Sequence, residues 1–111
     1  VHKAQAAAIN IAKTGKKASN VDMAARSIIK KAGYGNCFGH GTGHGVGIEI
    51  HEQPTVSFLN NKSVLKENSV ITIEPGIYLE NLAGVRLEDT ILVKKNSVER
   101  LTKASLKMKI L

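Results

Sequence analysis

Hydrophobic positions along this chain follow two periods in succession. Over VHKAQAAAINIAKT, Ala4, Ala7, Ala8 and Ile11 recur at intervals of three and four, one face of a helix. Gly15 is expected to stop that helix. GKKASN reads as a polar loop, with Ser19 or Asn20 capping a second helix that runs to about Ala32. Its buried face is expected to hold Val21, Ala24, Ala25, Ile28 and Ile29, and Gly33 and Gly35 end it. Both helices read as scaffold.

Beyond Gly35 the period becomes two. GIEIHE alternates Ile48 and Ile50 with Glu49 and His51. SVITIEPGIYL is β-rich and broken at Pro75-Gly76. GVRLEDTILVKK puts Val85 and Leu87 on one parity before the run Ile91, Leu92, Val93, and SVERLT reads as a short last strand. The expectation is an α+β domain: two helices, then four or five mainly antiparallel strands joined by short connections.

Composition changes this picture little. A hydrophobic content of 42% is that of an ordinary globular chain, and 111 residues suffice for one modest core. There is no apolar run long enough to span a bilayer and no secretory signal pattern at the N-terminus. A single cysteine, Cys37, cannot form an internal disulfide and fits a reducing compartment, so the cytoplasm is the expected location. The net charge of +7 is concentrated at the two ends. Residues 1–31 carry seven Lys or Arg against Asp22 alone, and Lys94, Lys95, Arg100, Lys103, Lys107 and Lys109 stand against Glu99. With 4% aromatics there is little to stack on bases, so these lysines are read as solvated faces rather than a nucleic-acid surface.

Candidate chemistry lies in the second half. FGHGTGHGVGIEIHE holds three of the four histidines, His40, His44 and His51, and five of the ten glycines. ITIEPGIY places Glu74 just before a Pro-Gly break, among Ile71, Ile73 and Ile77. GVRLEDT places Arg86, Glu88 and Asp89 within a strand. A carboxylate in an apolar strand is costly unless paired or bound to a cation. Two such glutamates with a glycine-flanked histidine suggest a mixed nitrogen and oxygen metal site of the Zn, Mn or Fe type. The glycines let backbone approach closely and leave room for a substrate. The zincin pattern fails, because His51-Glu52 is followed by Thr55 where a second histidine is required, and the glycines match neither phosphate-loop nor dinucleotide fingerprints.

Together, HGTGHGVGIEIHEQP, TIEPGIY and GVRLEDT resemble the pita-bread metallopeptidases, in the branch holding aminopeptidase P and Xaa-Pro dipeptidase (prolidase). The upstream helical stretch and the closing LTKASLKMKIL are also similar to that domain. The resemblance implies a partial pita-bread fold with a curved sheet. It also implies two divalent metal ions, Mn or Co with Zn as a further candidate, held by two aspartates, one histidine and two glutamates. His44, Glu74 and Glu88 match the histidine and glutamate ligands. His51 matches a histidine that contacts substrate and offsets charge on the tetrahedral intermediate, and His40 one that lines the pocket. Glu74 is placed to pass a proton, and Arg86 matches an arginine that pairs with a metal-binding carboxylate. The implied substrates are small proline-containing peptides, cleaved at the Xaa-Pro bond.

The resemblance also exposes a departure. The two aspartate ligands belong upstream, and neither Asp22 nor Asp89 fits them. Since the chain opens on Val1, residues 1–111 are expected to be the C-terminal part of a catalytic domain, inactive alone, with an exposed sheet edge that favours a homodimer. Methionine aminopeptidase shares part of the pattern, but His40 and Arg86 favour the proline-specific branch. Creatinase-like enzymes and non-enzymatic binders of histones or RNA typically lack ligands that this chain keeps.

Overall fold

The computed structural model describes residues 1–105. Helix α1 spans His2–Ile11 and helix α2 spans Ala18–Lys31. A single 3₁₀ turn, Gly35–Cys37, leads into the strands. These are β1 Gly43–Gly45, β2 Glu52–Val56, β3 Val70–Ile73, β4 Gly76–Leu79, β5 Ala83–Arg86, β6 Asp89–Val93 and β7 Val98–Arg100. The architecture is α+β as expected, but the described residues hold seven short strands rather than four or five. A five-stranded sheet runs β2-β1-β3-β6-β7, and β4-β5 forms a separate hairpin. Every pairing is antiparallel.

The core follows from small residues on the helices meeting branched ones on the sheet. Ala4, Ala8 and Ala12 of the first segment and Val21, Ala25 and Ile29 of α2 are buried against Ile71, Ile73, Ile91 and Val93. Gln5, rather than Ala7, completes the inner face of α1, and Ala24 and Ile28 are only partly covered. In the β3–β6 ladder Ile71 pairs with Ile91 and Ile73 with Asp89, so these residues share the helix-facing side. Thr72 and Glu74 therefore share the opposite parity, which is the side of the site.

Several boundaries differ from the sequence expectation. Helix α1 ends at Ile11, because the chain turns extended at Ala12, and Gly15 (φ +84°) serves the following turn. Helix α2 starts at Ala18 behind Lys17 with no side-chain cap, so neither Ser19 nor Asn20 is the N-cap. Its far end is as expected: Gly33 takes a positive φ of 88°. Its N–H bonds Lys30 O while the Tyr34 N–H bonds Ile29 O, which satisfies the last carbonyls. The alternating stretch Ile48–His51 is a bend with both isoleucines exposed, and the strand begins only at Glu52. Arg86 closes β5, Glu88 falls in the break after it and Asp89 opens β6, so the three do not lie mid-strand. Lys107, Lys109 and the rest of residues 106–111, the second part of the closing LTKASLKMKIL, lie outside the described residues.

Strand β1 is wedged between β2 and β3, and this is what its glycines are for. A Cβ at Gly43 would collide with the Thr72 carbonyl. Close backbone approach, more than space for a ligand, demands glycine there.

One buried ion pair ties this strand to the helices. Asp22 has no exposed surface. It accepts two bonds from Arg26, at 2.7 and 3.0 Å, and two more from the N–H and hydroxyl of Thr42, at 3.0 and 2.9 Å. Arg26 also donates to Phe38 O at 2.9 Å and His40 O at 2.7 Å. Its guanidinium lies 4.2 Å from the Phe38 ring centroid and 4.6 Å from that of Phe58. Removing the carboxylate by Asp22→Ala strands a buried cation and should cost about 3–5 kcal/mol in urea unfolding. Arg26→Lys keeps the charge but loses the fork, and should cost roughly 1–3 kcal/mol. In Arg26→Lys, amide exchange should quicken over Phe38–Thr42 while Ile71 and Ile91 stay protected. Uniform quickening across the chain would refute a local clamp.

Candidate metal centre

His44 stands in β1 with its side chain 15% exposed. Its Nδ1 lies 2.9 Å from Gly45 O. A carbonyl oxygen can only accept, so Nδ1 carries a proton. The other nitrogen, Nε2, faces Glu74 Oε1 at 3.1 Å. A bare lone pair against a carboxylate oxygen repels, so a proton or a cation has to mediate that contact. An imidazole that donates one nitrogen to a backbone carbonyl and presents the other to a carboxylate is set up as a metal ligand.

Glu74 sits one residue beyond β3, fixed by its N–H to Thr42 O at 2.7 Å. The Thr72 hydroxyl donates to its Oε1 at 2.9 Å and in turn accepts the His44 N–H at 3.1 Å. Thr72 thus holds the two candidate ligands in mutual register. Behind them Arg86 Nη1 stands 3.7 Å from Glu74 Oε2. His51 is exposed, and its ring centroid lies 4.4 Å from that of His44 at an interplanar angle of 60°.

His40 repeats the device of His44. Its Nδ1 donates to Gly41 O at 2.7 Å, which leaves Nε2 as an acceptor 2.8 Å from the Tyr78 hydroxyl. That hydroxyl accepts the Arg86 Nε–H at 2.7 Å, so its own proton points to His40. Arg86 is held above its ordinary pKa chiefly by this bond to Tyr78. Burial acts in the opposite direction, and the charges of Glu74 and Glu88 add smaller support. The group remains a fixed cation at any working pH.

A cleft of about 920 Å³ is lined by His40, His44, His51, Glu74 and Arg86 together. Glu88 is exposed and outside this lining, so the cost of burying a carboxylate does not apply to it. Among the described residues no group of three His, Cys, Asp or Glu converges to hold a metal ion. The two donors that do converge, His44 and Glu74, fit a divalent cation by chemistry. Asp89 serves the core instead: it accepts from Gln5 Nε2 at 3.3 Å and from the Thr102 hydroxyl at 2.7 Å.

Four residues around this cleft have no counterpart in the sequence reading of the site: Asp22, Arg26, Thr72 and Tyr78. Tyr78 was legible in principle. In the β4–β5 ladder Gly76 pairs with Arg86 and Tyr78 with Gly84, so each large side chain stands opposite a glycine. That leaves Tyr78 and Arg86 as diagonal neighbours on one hairpin face.

Comparison with known proteins places the chain in a family. The model of metallopeptidase family M24 matches residues 1–95. The chain is 54% identical over 103 residues to an Xaa-Pro dipeptidase of Pyrococcus furiosus, covering 93% of this chain and 29% of that protein. The structure of an Xaa-Pro dipeptidase from Bacillus anthracis superposes with a TM-score of 0.96 at 41% identity, covering 100% of this chain and 31% of that one. For X-Pro aminopeptidase from Thermotoga maritima the TM-score is 0.92 at 46% identity, covering 96% and 30%. The chain therefore spans less than a third of the length of these relatives. The two-helix and antiparallel-sheet arrangement is part of the prolidase fold, and the chain belongs to metallopeptidase family M24.

Proposed function

We propose that this chain carries the histidine and glutamate half of a two-metal exopeptidase site that hydrolyses the bond between an N-terminal residue and proline. The observation that carries the reading is the His44 Nε2 to Glu74 Oε1 contact at 3.1 Å, which a proton or a cation has to mediate and which a divalent ion would fill. Relatives named as Xaa-Pro dipeptidase and X-Pro aminopeptidase support the substrate class.

In this reading His44 and Glu74 hold the ions, Mn or Co rather than a thiolate-bound zinc, joined by Glu88, which stands outside the cleft lining in the chain alone, and by carboxylates of further polypeptide. Metal ions there would lower the pKa of a water toward neutrality. The chain's own residues do the rest. Glu74 takes or passes a proton at its carboxylate, in the orientation imposed by Thr72 and Arg86. His51, exposed beside His44, donates to the oxygen on which negative charge develops. His40 lines the pocket, its ring set by Gly41 O and Tyr78. A peptide bond to proline has no N–H, so a pocket shaped by rings suits it better than one built of acceptors. Exposed Ile48, Ile50, Leu82 and Val85 support association with further polypeptide, such as a second subunit.

Two measurements test this. Calorimetric titration of the 111-residue chain with Mn²⁺ should show only weak binding, because two donors converge where more are needed, and His44→Ala should abolish it. Tight binding of two ions would refute the half-site reading. In a protein of the relatives' length that carries this segment, Glu74→Gln should lower kcat/KM on an Xaa-Pro dipeptide by roughly 10²–10⁴-fold. Equal activity on peptides without proline would exclude the proposed specificity.

A further inference from the structure

A second depression lies along the edge strand of the sheet, away from the histidines. It is a groove of about 450 Å³ against Gln53 and Pro54 of β2, closed by Lys62, Ser63, Lys66 and Ser69. No aspartate or glutamate lines it. Among the described residues neither lysine enters an ion pair. The neutral groups around them are donors. Gln53 Oε1 is already taken by the Thr55 N–H at 3.2 Å, so its amide NH₂ is what remains to offer. Ser63 is held through its backbone, with its N–H on Asn60 Oδ1 and its carbonyl accepting from Ala18. Ser69 is held likewise by Val93, so both hydroxyls stay available. Two further lysines belong to the adjoining segment. Lys16 O accepts the Leu65 N–H at 2.8 Å, and Lys17 bridges to Val64.

We propose that this groove binds a compact phosphate-bearing anion. Glu67 follows Lys66 in the chain but does not line the groove, so the two unpaired lysines leave it a positive potential that a bound anion relieves. Two ammonium groups match a dianion, and five donor groups match the acceptor oxygens of a tetrahedral phosphate better than the two oxygens of a carboxylate. Lysine serves phosphate as a point charge. The scarcity of aromatics argues against a base-stacking site and for recognition of the phosphate group itself. The site is independent of the peptidase reading and of any metal.

The test is a pyrophosphate titration of the 111-residue chain, followed by amide chemical shifts, with acetate and chloride at matched ionic strength as controls. Saturable shifts confined to Gln53 and to Lys62 through Ser69 are expected. The double variant Lys62→Ala/Lys66→Ala should weaken binding at least about tenfold, and Lys62→Arg/Lys66→Arg should restore most of it. These side chains project into solvent, and an unchanged spectrum elsewhere shows that the variants are folded. A single-stranded oligonucleotide separates the two sources of phosphate. If it competes with pyrophosphate at the same amides, the phosphate site stands. Oligonucleotide binding with no pyrophosphate binding would overturn the compact site. So would shifts spread over all surface lysines and equal in chloride, or affinity unchanged in the alanine pair.

Discussion

The geometry of the cleft depends on a carboxylate that never reaches it. Asp22 is fully buried on α2, and all four bonds it accepts bear on one task, holding the segment Phe38–Thr42 against the helix. Thr42 is the hinge of that arrangement. Its N–H and hydroxyl go to Asp22, while its carbonyl receives the Glu74 N–H. One residue therefore links the helix layer to the candidate ligand on the other side of the sheet. A buried ion pair is weak evidence for stability as such, since desolvation offsets most of the attraction. Its value here is in fixing position. A glycine-rich segment has few conformational preferences of its own, and the clamp supplies the order that the sequence of the loop does not.

The same logic recurs at smaller scale in the two histidines. His40 and His44 each spend Nδ1 on the carbonyl of the next residue, a glycine in both cases. That local bond sets both ring orientation and tautomer, so Nε2 points outward as an acceptor with no contribution from distant groups. What differs is the facing partner. Nε2 of His44 meets a carboxylate, which calls for a proton or a cation between them, whereas Nε2 of His40 meets a phenol whose oxygen is already held by Arg86. One motif thus yields a candidate ligand and a candidate pocket wall, and the difference is made by residues of other strands.

Much of this was legible in the sequence, and the exceptions have physical causes. Helical periodicity identified α1 and α2, and period-two stretches identified most of the sheet, because both report one-sided burial. Ile48 and Ile50 alternate like a strand yet lie in an exposed bend, since alternation counts apolar residues without knowing what stands ready to cover them. GVRLEDT reads as one strand, which would make Glu88 a buried carboxylate. The chain instead changes sheets there, between β5 and β6, and the residue in the break faces solvent. Asp22 and Arg26 look like any surface pair four residues apart on a helix. Only the packing of Phe38, Phe58 and Thr42 around them turns that pair into a clamp, and those contacts span stretches too far apart for periodicity to register.

The pairing of β1 shows why glycine spacing carried two messages at once. Gly43 has to be glycine because the Thr72 carbonyl occupies the space of its side chain. Thr72 in turn has to be close because its hydroxyl bridges the His44 N–H and Glu74 Oε1. Close strand approach and ligand alignment are therefore one constraint. Any larger residue at position 43 would push β3 away, lengthen both Thr72 bonds and separate His44 from Glu74. Gly43 and Gly45, on either side of His44, are better understood as a means of bringing strands together than as room left for a substrate.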